Sequence, residues 1–82
     1  MALYYFHIVN GSDIIEDELG TECPDNADIR QLAIEGAREV VAEAVKTGTP
    51  ANLDQMYRVV GPSGKVVCEV PFREAVSVNQ RT

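Results

Sequence analysis

The sequence predicts an α+β fold: a β-hairpin, one long helix and a second β-hairpin, with the helix packed on one face of an antiparallel sheet of about four strands. Three observations carry this. An apolar stripe at helical period runs from Asp25 to Gly48, between start and stop signals that agree. An aromatic and β-branched run, Leu3 to Asn10, precedes it, and two shorter extended runs follow it. Turn chemistry separates the extended runs: Asn10-Gly11 in the first half, and Gly61-Pro62-Ser63-Gly64 in the second.

Leu3-Tyr4-Tyr5-Phe6-His7-Ile8-Val9 alternates two largely apolar faces, which marks a central strand. Tyr4, Phe6 and Ile8 are assigned to the helix side, and Leu3, Tyr5, His7 and Val9 to the reverse. Asn10-Gly11-Ser12-Asp13 favours a tight hairpin, since Asn-Gly adopts positive φ readily. A second strand is expected from Ile14 to about Glu18, with another short extended piece across Leu19 to Cys23.

In the helix, Asp25 or Asn26 is placed to cap the N-terminus, Pro24 marks the boundary, and Asp28 falls in the first turn, where a carboxylate meets the positive end of the macrodipole. Lys46 in the last turn, Gly48 just beyond it and Pro50 close the other end. Ile29, Leu32, Ala33, Gly36, Ala37, Val40, Val41 and Ala44 form one broad arc, with Ile34 and Val45 at its margin. Gly inside a helix costs about 1 kcal/mol against Ala. Gly36 therefore reads as a site of close approach to the sheet, with a ligand or a second helix as the alternative.

Thr47 to Gln55 reads as a loop, Met56 to Val60 as a strand, and Lys65 to Phe72 as a strand with Val66, Cys68 and Val70 on one face. Pro71 cannot donate to a ladder, so the strand ends or becomes an edge there. Phe72 to Val76 suits a final helical turn. Residues 1–76 thus read as a single α+β domain, and 77–82 as a flexible tail.

Eighty-two residues allow one modest core, a size at which self-association commonly supplements stability. No run approaches the about 18 consecutive apolar residues of a membrane span, and the first residues lack the basic and apolar regions of a secretory signal, so a cytoplasmic address is expected. The net charge is −6, and seven acids fall between Asp13 and Asp28, a stretch without Lys or Arg. That stretch repels phosphate backbones, which argues against nucleic-acid binding by the domain alone. It suits either a solvated face or the attraction of a basic partner or a neighbouring copy.

The chemistry-bearing residues form no complete motif. His7 is the single histidine, without a companion nucleophile or carboxylate pattern, and reads as an exposed or half-buried strand residue. Cys23 and Cys68 stand far apart and outside any zinc spacing, so they read as small buried hydrophobes. Asp13, Glu16, Asp17, Glu18 and Glu22 lack the alternation and central Gly of a calcium loop. Gly61-Pro62-Ser63-Gly64-Lys65 is too short for a phosphate loop and joins two strands. No catalytic, metal or cofactor-binding residue is assigned, and the sequence leans away from an enzyme.

The stretches Tyr4 to Gly11, Asp17 to Asp25, Ala37-Arg38-Glu39 and Gly64 to Glu74 are similar to a family of short alphaproteobacterial proteins known as a domain of unknown function. The resemblance covers nearly the whole chain. It implies the fold and a bacterial source, and it supplies no activity. A shorter likeness, over Gly20 to Val45, is to the HicB-type antitoxin domain, and implies a regulator that binds a basic protein.

One helix covers one face of such a sheet. The reverse then presents Leu3, Tyr5 and Val9, and these are the expected interface residues. The leading expectation is a non-enzymatic interaction or regulatory module working as a homodimer. An antitoxin-like regulator with a basic protein partner and a small-molecule binding protein are the alternatives.

Overall fold

The computed structural model describes residues 1–76. The expected tail, 77–82, lies outside the described residues. Five strands and two helices follow in the order β1 (Ala2–Asn10), β2 (Asp13–Ile15), β3 (Thr21–Cys23), α1 (Ile29–Thr47), β4 (Met56–Val60), β5 (Val66–Pro71) and α2 (Phe72–Ala75). The fold is α+β, with one antiparallel sheet and α1 packed on it. The strand order is β2-β1-β4-β5, and β3 also pairs with β1.

β1 is central, as its two apolar faces require. Its nine residues are long enough to serve two short strands on one side. β2 pairs with its end, Asn10 opposite Asp13 and Ile8 opposite Ile15, and β3 pairs with its start, Ala2 opposite Cys23 and Tyr4 opposite Thr21. The expected strand through Glu18 therefore stops at Ile15, and the extended piece before the helix becomes the fifth strand. In the first hairpin only Gly11 takes positive φ, at 63°. Asn10 remains in the strand, so Gly11 opens a two-residue loop.

α1 begins later than the acidic and proline signals suggest. Pro24 to Ala27 is consumed by a turn closed by the Ala27 N–H on the Pro24 carbonyl, at 3.0 Å. Asp28, expected in the first turn, is itself the cap: its carboxylate accepts the Gln31 N–H at 3.1 Å. Gly48 ends the helix at φ 76°, with the Thr49 N–H on the Ala44 carbonyl (2.8 Å) and the Gly48 N–H on Val45 (3.2 Å).

Ile29, Ala33 and Ala37 bury against Val59, Val70, Cys23 and the α2 residues Phe72 and Ala75, with Tyr4, Phe6, Ile8, Ile34 and Val41 around them. The helix-side assignment of Tyr4, Phe6 and Ile8 thus holds. The broad arc is only partly used, because Leu32 and Val40 stay 37% exposed. α1 leans toward β5 and α2 rather than over β1. Two hydrogen bonds fix that lean: Arg38 Nε donates to the Ala75 carbonyl at 2.7 Å, and Arg30 donates to the Glu69 carbonyl at 3.3 Å. The second also occupies an acceptor on edge strand β5, which ends at Pro71. β4 and β5 are joined by a turn with the Gly64 N–H on the Gly61 carbonyl at 3.0 Å, so the phosphate-loop likeness is a hairpin turn. A register shift beside it places Val66 opposite Val60 and leaves Val67 as an extra residue. Val66 is therefore 53% exposed instead of sharing the helix side with Cys68 and Val70.

Candidate functional site

The sheet face away from the helices is built from alternate residues of β1, β4 and β5. Register sets it out in rows: Ile14, Val9, Met56 and Pro71; then His7, Arg58 and Glu69; then Tyr5 and Val60 with the bulge at Val66. Leu3, Tyr5 and Val9 are all half-buried on this face. Its middle is polar, since Arg58 Nε donates to Glu69 Oε2 at 2.7 Å, with both side chains partly exposed. Apolar ends flank that pair, where Ile14 is 51% and Val66 53% exposed.

The reverse of the sheet is less bare than strand alternation suggests. The chain from Glu16 to Gly20 crosses the gap between β2 and β3 and passes close over Leu3 and Tyr5. A β-carbon on Gly20 would lie 3.0 Å from Leu3 Cδ1 and 3.1 Å from a Tyr5 ring carbon, and the backbone there is at φ 74°. Glycine is needed on both counts. Tyr5 in turn stacks on His7, with ring centroids 6.2 Å apart.

Asp17 holds this crossing in place. Where β1 has no neighbouring strand, Asp17 Oδ2 accepts the Phe6 N–H at 3.1 Å, so a carboxylate stands in for a strand carbonyl. Asp17 Oδ1 accepts from Gly20 (3.0 Å) and Leu19 (3.3 Å), and the Asp17 N–H donates to His7 Nδ1 at 3.0 Å. His7 is thus an acceptor in a structural lock. Burial pushes the Asp17 pKa up, but the three amide donors, Phe6, Gly20 and Leu19, together with His7 outweigh it, and the carboxyl ends below its ordinary value of 3.8.

On the opposite side of the sheet, the lean of α1 leaves an open cleft of about 400 Å³ between the helix and β1. Phe6, Leu32 and Tyr57 give it apolar walls, and Gly36 forms a notch in the helix. Asp17, Glu35 and Glu39 supply its charge, and no basic residue lines it. Phe6 meets Tyr57 edge-on at 6.0 Å, and Tyr57 lies tilted on Phe72 at 5.0 Å. Burial raises the Tyr57 hydroxyl pKa, and Asp17 and Glu39 raise it further.

Gly36 does not fit the close-approach reading. A β-carbon there would meet the Tyr57 ring at 3.5 Å, which is ordinary contact, so the packing tolerates alanine. Gly36 instead lines the cleft, beside Leu32 and Tyr57. Sequence patterning missed this site because Phe6, Asp17, Glu39 and Tyr57 belong to four different segments. The breadth of the helical arc and the ligand alternative at Gly36 were its advance signs.

Cys23 is buried, Cys68 is half-buried and both thiols are free, as small hydrophobes would be. Burial raises the Cys68 pKa, with Arg30 opposing and Asp28 adding to it. Among the described residues no group of three or more His, Cys, Asp or Glu side chains is placed to hold a metal ion. No helix among them is long and apolar enough to cross a membrane.

A family model described as "Domain of unknown function (DUF6894)" matches residues 3–73. No curated protein and no solved structure matches the chain.

Proposed function

The chain belongs to the DUF6894 family, and from that premise we propose that it is a non-enzymatic, cytoplasmic protein-interaction module that pairs with a second copy of itself through the open sheet face. One observation carries this reading: the face has exposed apolar ends around an Arg58–Glu69 pair, and both helices lie on the other side. A row holding both signs is self-complementary, since Arg58 of one copy can sit over Glu69 of the other. Val9, Ile14 and Met56 would meet apolar surface at one end, and Val60 and Val66 at the other. Leu3 and Tyr5 contribute from beneath the Gly20 crossing.

Size sets the strength. Four strands about 4.8 Å apart and about six residues long give a face near 20 Å by 20 Å. That is about 400 Å² per copy, half the area each partner buries in a standard stable interface. The dimer is therefore weak and concentration-dependent. Sedimentation velocity should show the average mass rising from monomer toward dimer between about 10 and 500 μM, a range suited to so small an interface. Ile14→Arg and Val66→Arg alter exposed positions, so both should fold and remain monomeric. A wild-type protein that stays monomeric throughout, or variants that associate equally well, would refute the reading.

A further inference from the structure

We propose that the cleft between α1 and β1 is a second docking surface, which takes a cationic amphipathic segment of a different protein. This goes beyond self-association, because the cleft lies on the helix side of the sheet and shares none of the open face's side chains.

Two properties of the cleft select that occupant. Its charge has one sign: Asp17 comes from the β2–β3 crossing, Glu35 and Glu39 are one turn apart on α1, and no Lys or Arg lines the space. Its walls are apolar and unfinished, with Leu32 37% exposed beside the Gly36 notch. Ile15, which shares the helix-side face with Ile8, stands 62% exposed next along the sheet. A small cation would satisfy the carboxylates and leave this apolar surface wet. A wholly apolar segment would strand the carboxylates against hydrocarbon. A segment with basic residues on one side and aliphatic ones on the other answers both, with aliphatic side chains against the exposed Leu32 and Lys or Arg groups reaching the rim.

A second copy is a poor occupant. Its own Asp13 to Asp28 stretch holds seven acids and no base, and like charges across a contact oppose docking. Burial is the main cause of the raised Tyr57 hydroxyl pKa, and Asp17 and Glu39 add to it from the walls of the cleft.

The test uses the full chain labelled with ¹⁵N and a synthetic amidated peptide of about 18 residues, Lys and Leu spaced for an amphipathic helix. A peptide with Glu in place of every Lys is the control. The Lys peptide should shift the amides of Phe6, Leu32, Gly36 and Tyr57 and leave Val60 and Val66 in place, with affinity falling as salt rises. The double variant Glu35→Lys/Glu39→Lys changes two exposed helix residues. It should weaken binding at least about ten-fold, as reversal of two charges facing a cationic segment predicts. Its amide spectrum should otherwise match the wild type, which separates lost docking from lost folding.

Any of four results overturns the proposal: no shifts, shifts centred on the open face, equal binding of the Glu peptide, or unchanged affinity of the charge-reversed variant. Concentration-dependent shifts at Gly36 without peptide would assign the cleft to a second copy, and overturn it too.

Discussion

Replacing Asp17 by alanine tests whether a side chain does the work of a missing strand. Three amide hydrogen bonds end on this carboxylate, and they are unequal. The Phe6 N–H lies in the gap between β2 and β3, part-buried and 3.1 Å from Oδ2, so its loss leaves a poorly hydrated donor, at a cost of about 1–1.5 kcal/mol. The Gly20 bond, part-buried at 3.0 Å, contributes about 0.5–1 kcal/mol. The Leu19 bond is exposed and 3.3 Å long, and water replaces it at little cost.

The sum is about 2 kcal/mol at neutral pH, which for a chain of this size moves a urea midpoint by about 1–2 M. The pH signature is more discriminating. The folded-state pKa of Asp17 lies below its ordinary value of 3.8, so its contribution is complete above that value and is lost as pH falls through the folded pKa. Wild type and Asp17→Ala should therefore differ by about 2 kcal/mol at pH 7 and by less in acid, once pH has fallen below the ordinary carboxylate range. Urea unfolding followed by far-UV circular dichroism at pH 7 and in acid measures this. A difference below about 0.5 kcal/mol at pH 7, or one that persists unchanged in acid, would refute the view that the ionised carboxylate closes the sheet.

Gly36→Ala should stabilise the fold by about 0.5–1 kcal/mol, since the new methyl makes only ordinary contact with Tyr57 while the helix gains propensity; a loss in thermal unfolding experiments would restore the close-approach reading. Phe72→Ala removes a fully buried ring packed 5.0 Å from Tyr57 and should cost about 3–5 kcal/mol, enough to leave the chain largely unfolded by circular dichroism. A folded Phe72→Ala variant within about 1 kcal/mol of wild type would mean that the junction of α1, α2 and β5 is not the centre of the core.

The candidate surfaces were legible to different degrees. Leu3, Tyr5 and Val9 fall on the open face because period-two alternation is local, and an assignment of Tyr4, Phe6 and Ile8 to the helix side places them there. The Arg58–Glu69 pair in the middle of that face was not legible, because its partners come together only once β4 and β5 are in register. The role of His7 also depended on distance: the residue that donates to it, Asp17, arrives through a loop whose path no periodicity describes.

The chain's own text determined whatever depends on neighbours within a few residues. The helix followed from its period and from Gly48, β1 from its paired apolar faces, and the hairpins from glycines that can turn where other residues cannot. Tertiary structure decided what depends on relative position. Asp28 rather than Asp25 capped the helix because Pro24 to Ala27 closed a turn of its own. One edge of β1 was divided between two short strands, with Asp17 bridging the space left between them. α1 settled toward β5 and α2, where Arg38 and Phe72 hold it, and so left the acidic cleft open over β1. The physical reason is the same in each case. Local conformation is chosen by steric and hydrogen-bonding terms within a turn or two, whereas the partners of an amide, a ring or a carboxylate are chosen by packing segments that are remote in sequence.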